Sequence, residues 1–134
     1  MDQRAQISIE YILLVAIILL IVIVFAMVIT DQSEQNNVAT AAQLGASNAT
    51  ANLVFTNNSQ SPVQVTEVTM SNSTNQSAPI NMTIHFSRSV TNQQSTILSS
   101  IAKSLQSSGD NNSVITGGSL NLTTSKHNYI ITLA

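Results

Sequence analysis

The sequence predicts an α+β chain: one long N-terminal helix, apolar half first, carrying a small antiparallel β head with one short helix. Three observations predict it. Residues 12–29 include no polar side chain. Small and apolar residues then recur at helical spacing as far as Leu53. Beyond residue 60, β-branched and other apolar residues alternate with polar ones, except in one segment that returns to helical spacing.

The apolar run is long enough to cross a hydrocarbon layer as one helix, which takes roughly 17–25 residues. Residues 31–55 hold no proline and a single glycine, Gly45. Val38, Ala41, Ala42, Gly45, Ala49 and Leu53 make a narrow stripe, and small residues let another surface approach closely. One helix is expected over residues 7–51, spanning about 65–70 Å at 1.5 Å per residue. The alternative is two helices with a break near residues 31–37.

The head begins with Val63, Val65 and Val68, which alternate only partly. Ile80, Met82, Ile84 and Phe86 alternate strictly with polar residues, and the Ser, Thr, Asn and Gln between these segments suit a long hairpin. Residues 53–56 read either as a further strand or as the helix end. Ile97, Leu98, Ile101, Ala102 and Leu105 place an amphipathic helix within residues 91–107, ended at Gly109. Strands follow around Val114 and Ile115, at Leu120 and Leu122, and over residues 129–133. Gly117 and Gly118 turn the first of these into the second. A free head of about 80 residues is marginal in the surface it can bury, so the distal half of the long helix is expected to supply part of its core. The expected organisation is a leader at 1–5, an apolar helix at 6–30, its amphipathic continuation at 31–55 and a head at 56–134.

Only 7% of residues are charged and the formal net charge is −2. No basic run exists to meet nucleic acid. With no cysteine there is neither a disulfide framework nor a thiolate metal site. A head outside the cell must therefore hold by packing alone. The polarity beyond residue 30 is mostly uncharged Ser, Thr, Asn and Gln. Arg4 precedes the apolar run, Asp31 and Glu34 follow it, and the next basic residue is Arg88. The positive-inside rule puts the N-terminus in the cytoplasm and the bulk outside.

At the lip of the apolar run stands Arg4-Ala5-Gln6-Ile7-Ser8-Ile9-Glu10-Tyr11. An acidic residue at such a site is costly and usually functional. Arg-Ala, then Gln-x-Ser-x-Glu-Tyr, then a long apolar helix resembles the class III signal peptide of archaeal type IV pilin precursors. The resemblance covers about the first 30 residues and is specific there. It implies a lollipop-like pilin, cut by a prepilin peptidase between Ala5 and Gln6, with Arg4 and Ala5 as the preferred basic and small residues. The apolar segment would stay on the mature protein and become the filament core. Gln6, Ser8, Glu10 and Tyr11 would then serve assembly. Implied partners are further copies of the chain, the membrane before assembly, the peptidase, and an assembly ATPase with its platform proteins. No cofactor is implied. The role would be surface adhesion or cell–cell contact. Unlike many bacterial pilins, the chain has no proline before Pro62, so a melted helical segment is not expected.

Other readings compete. An ordinary secretory signal has an apolar core of about 7–15 residues and a basic start without a glutamate, and neither fits. A plain single-span anchor, holding a monomeric protein at the cell surface, remains the rival, and a minor pilin or an archaellin is possible within the filament class. An enzyme is not expected. His85 and His127 have no metal-like spacing, His85 is expected to be exposed, and no nucleophile motif surrounds any serine. N-x-Ser/Thr occurs at Asn48, Asn57, Asn72, Asn75, Asn81, Asn111 and Asn121, against about three or four by chance for this composition. Pilins of the resembled family are often N-glycosylated. Asn72, Asn75 and Asn111 are favoured as loop positions, with Asn57, Asn81 and Asn121 as further candidates and Asn48 doubtful on a packed helix.

Overall fold

The computed structural model describes residues 3–56, 61–71, 75 and 77–134, without the side chains of residues 4, 5 and 7. It contains a long helix α1 (Gln3–Thr56), strands β1 (Val65–Ser71) and β2 (Ile80–Phe86), a 3-10 turn (Thr91–Gln93), helix α2 (Gln94–Ser107), and strands β3 (Ser113–Thr116), β4 (Ser119–Thr123) and β5 (Asn128–Leu133). The chain divides into two units, Met1–Gln35 and Asn36–Ala134.

Helix α1 is unbroken through residues 31–37, and residues 53–56 are its end rather than a strand. Its threonines bond backward to carbonyls of the preceding turn. Thr30 Oγ1 donates to the Ala26 carbonyl at 2.6 Å and Thr40 Oγ1 to the Asn36 carbonyl at 2.7 Å. In the first unit every side chain described from Gln6 to Thr30 is exposed.

The second unit is built on a five-stranded sheet in the order β1-β2-β5-β4-β3. Three neighbouring pairs are antiparallel, but β2 and β5 run parallel, with Ile80 opposite Tyr129 and Ile84 opposite Leu133. The sheet is thus mixed where a wholly antiparallel one was expected. The cause is a crossover: parallel neighbours need a long connection, and α2 with the β3–β4 hairpin supplies it. The partial alternation of the first strand also has a cause. The register shifts between Val65 and Glu67, a bulge that puts Val65 and Val68 on one face at a spacing of three.

One face of the sheet, α2 and part of α1 enclose the core. Val38, Ala41, Ala42, Ala46 and Ala49 of α1 are buried with Ile97, Leu98, Ile101 and Leu105 of α2 and with Met82, Ile84, Leu120, Leu122, Tyr129 and Ile131 of the sheet. The small stripe therefore meets the chain's own head. The approach is closest at Gly45, where a Cβ would lie 2.7 Å from the Ile101 Cα and 2.9 Å from the Ser100 carbonyl oxygen. Ser100 Oγ donates to the Gly45 carbonyl at 2.9 Å across the same contact.

Two ends are closed by glycine. Gly109, at φ 108°, ends α2 as its amide donates to the Gln106 carbonyl and the Asp110 amide donates to that of Leu105, the paired bonds of a Schellman motif. Gly117 and Gly118, at φ 58° and 86°, join Thr116 to Ser119, as a two-residue hairpin turn requires.

Candidate functional site

The first unit presents a site made by what is missing around it. Side chains that are all apolar from residue 12 to 29 stand on a helix with no cover from the chain: Ile12 is 64% exposed, Phe25 64% and Ile29 63%. Monomeric soluble proteins rarely leave contiguous apolar patches beyond a few hundred Å². Full burial of one such side chain is worth about 1.5–3 kcal/mol, so the stretch represents tens of kcal/mol for whatever covers it. By length and composition the helix Ser8–Thr56 can cross a membrane.

At the entry to this surface Gln6, Ser8, Glu10 and Tyr11 all lie on α1 and all are exposed. Gln6 and Glu10 are four apart and so share a helix face. Tyr11, 68% exposed, puts a polar hydroxyl at the end of an apolar ring. The side chains of Arg4 and Ala5 lie outside the described ones.

Concave features in the second unit offer less chemistry. An open depression of about 370 Å³ is lined by Phe86, Arg88, Ser89, Val90, Thr91, Gln94, Leu133 and Ala134. Ser89 and Thr91 bond each other at 2.9 Å, and Gln94 Nε2 donates to the Gly118 carbonyl at 2.7 Å. The hydroxyls and the amide are thus engaged in holding the loop, and no histidine or carboxylate side chain lines the space. Among the described residues no group of three or more His, Cys, Asp or Glu gathers as a metal site.

The two histidines lie apart from that depression. His85 is half-buried rather than fully exposed, 3.4 Å from Thr69 Oγ1 through Nε2. His127 stands edge-on to Tyr129, ring centroids 6.3 Å apart, and its Nε2 is buried without a hydrogen-bond partner.

Of the candidate glycosylation sites, Asn57 and Asn72 lie outside the described residues. Asn75 and Asn111 are exposed between elements. Asn81 and Asn121 are exposed on strands, and both pair with Ile130, so they occupy one row of the sheet's outer face. Asn48 is exposed as well, because it faces away from the buried stripe of α1.

Comparison with known families matches residues 3–29 to the class III signal peptide. The matched segment takes in the Gln-x-Ser-x-Glu-Tyr stretch and the apolar run. It supports a type IV pilin-like precursor, with processing by a prepilin peptidase and assembly into a filament as the activity that such a peptide implies. No curated protein and no solved structure matches the chain.

Proposed function

We propose that the chain is the structural subunit of an archaeal type IV pilus-like surface filament, in adhesion or cell–cell contact. A class III signal peptide on a wholly uncovered apolar helix is the observation that carries this reading. Residues 1–5 are the leader, 6–30 the segment that rests in the membrane and then forms the filament core, 31–55 its continuation and 56–134 the extracellular head. The mechanism is transfer, not catalysis. Before assembly, lipid covers residues 12–29. In the filament other copies cover them, so the hydrophobic term is kept while one apolar neighbour replaces another.

Cleavage before Gln6 leaves an α-amine, largely cationic at neutral pH with a reference pKa of about 7.7–8.0. It sits one helical turn from Glu10. Either the same chain or a neighbour can join the two groups, and in an apolar core either one unpaired costs several kcal/mol. Glu10 thereby sets the depth at which a subunit enters the filament. Motor ATPase and platform proteins supply the work.

The test is the N-terminal peptide mass of protein sheared from cells. It should begin at Gln6, and Arg4→Asp or Ala5→Leu should abolish both the cut and the sheared product. An intact Met1 end on assembled protein overturns the reading. Processed wild type that never leaves the membrane fraction, where other filaments are sheared off, identifies a monomeric anchor instead.

A further inference from the structure

We propose that Gln6 is a self-modification site: once it is the first residue, its side-chain amide closes on its own α-amine, and Glu10 decides whether it does. The proposal rests on the cut before Gln6 put forward above. Gln6 and Glu10 are exposed on α1 and share a helix face. Charges along this helix are few. Arg4 is the one lysine or arginine between Gln3 and Thr56, and it departs with the leader. Glu10 is the one acidic residue from Gln6 to Thr30, and Asp31 lies about 37 Å beyond Gln6 along a helix. The new α-amine is therefore the only cation that α1 retains from its lysines, arginines and terminus. A Glu10 carboxylate, its own or a neighbouring copy's, is the anion that α1 brings within reach of it.

The chemistry needs no co-reactant. In its uncharged form the amine nitrogen attacks Cδ of the Gln6 side chain. The N–Cδ bond forms, the Cδ–Nε2 bond breaks, and Nε2 leaves as ammonia with the proton that the amine gives up. The product is a five-membered lactam with one N–H and no charge. The helix does not resist the closure. Its first N–H has no partner within the helix, and a ring on the first residue is tolerated there as proline is. The Gln6 carbonyl still accepts from the Glu10 amide one turn on. What opposes closure is protonation. An amine paired with a carboxylate is held in its cationic form, which has no lone pair to attack with. An amine without that partner is more often uncharged, since its reference pKa of about 7.7–8.0 lies near neutral. Closure also bears on assembly. The lactam offers Glu10 no cation, and a carboxylate left without one in an apolar core is strongly disfavoured. Open subunits therefore enter the filament and closed ones stay in the membrane, so Gln6 limits how long a processed subunit remains competent.

The test uses the full chain in cells that assemble it. Sheared and membrane fractions are separated and acetylated at once, so that open amines are capped and no lactam forms later, and the N-terminal peptides are weighed. A lactam end is one ammonia lighter than an open Gln6 end and carries no acetyl group. Its share should be roughly tenfold lower in the sheared fraction than in the membrane, the step that about 1.4 kcal/mol of discrimination gives. In Glu10→Gln, cut but not assembled, the lactam share of the membrane fraction should rise several-fold above wild type. Ends that begin at Gln6 with equal lactam in both fractions, or with none in either, overturn the proposal and leave the filament reading standing. A lactam share unchanged by Glu10→Gln overturns the control by Glu10. Ends that begin before Gln6 overturn the processing reading itself.

Discussion

Gly45→Ala sets two effects of opposite sign against each other inside one helix. Alanine favours a helix interior over glycine by about 1 kcal/mol, so on propensity alone the variant should be more stable. The added Cβ would lie 2.7 Å from the Ile101 Cα, 2.9 Å from the Ser100 carbonyl oxygen and 2.9 Å from the Ser104 Cβ. Two of those atoms are α2 backbone, so no single side chain can turn aside. Overpacking of this kind costs about 1–3 kcal/mol. Pushing α2 away also weakens the bond from Ser100 Oγ to the Gly45 carbonyl, worth about 0.5–1.5 kcal/mol. The sum favours destabilisation by about 2 kcal/mol. For a unit of about 100 residues that lowers Tm by roughly 8–16 °C. The assay is thermal unfolding of the full chain in detergent, followed by near-ultraviolet circular dichroism, where buried Tyr129 reports on packing in the head. Ser47→Ala, at an exposed position on the same helix, controls for propensity. A Gly45→Ala chain that melts higher than wild type would refute the close crossing of α1 and α2.

Three further outcomes are expected. Glu10→Ala should be cut and inserted normally yet fail to assemble, read as processed protein that stays in the membrane fraction; normal filament yield would remove Glu10 from the site. Ala26→Trp, exposed in the single chain, should insert into membrane but overpack a filament core at about 1–3 kcal/mol per subunit, so sheared protein falls while head protease resistance holds. Asn75, Asn81, Asn111 and Asn121, all exposed, are the described candidates for sugar, and Asn→Gln at an occupied one should remove one glycan mass from the intact protein while shifting Tm by no more than about 2 °C, the equivalent of about 0.2 kcal/mol.

The helix and most strands were legible because each has a one-dimensional signal. Period 3.6 along α2 and period 2 along β2 survive whatever the partner is. Pairing has no such signal. Nothing in residues 128–133 tells which strand they join, so the parallel match of β5 to β2 came only with the structure. The bulge at Val65 and Glu67 was visible as a lapse in alternation without being readable as one. Ala46 is fully buried beside the small stripe, because α1 buries a wider face than the helical spacing of that stripe alone implies. The signal peptide was more legible than the fold of the head. A signal peptide is a local string, so the match over residues 3–29 was legible from order and spacing alone. Exposed apolar side chains such as Phe55 and Val114 were hidden because exposure depends on what the rest of the chain covers.

The place of β5 in the sheet controls when the head can exist. Before residues 128–133 are available, β1 with β2 and β3 with β4 are two separate hairpins, and an isolated hairpin in water is marginal at best. β5 bonds to both β2 and β4 and, among the described residues, is the strand that joins them. The five-stranded sheet therefore cannot close before residues 128–133 are available. Were the head to cross a membrane behind its apolar helix, as proposed above, residues 65–123 would pass as separate hairpins rather than as a closed sheet.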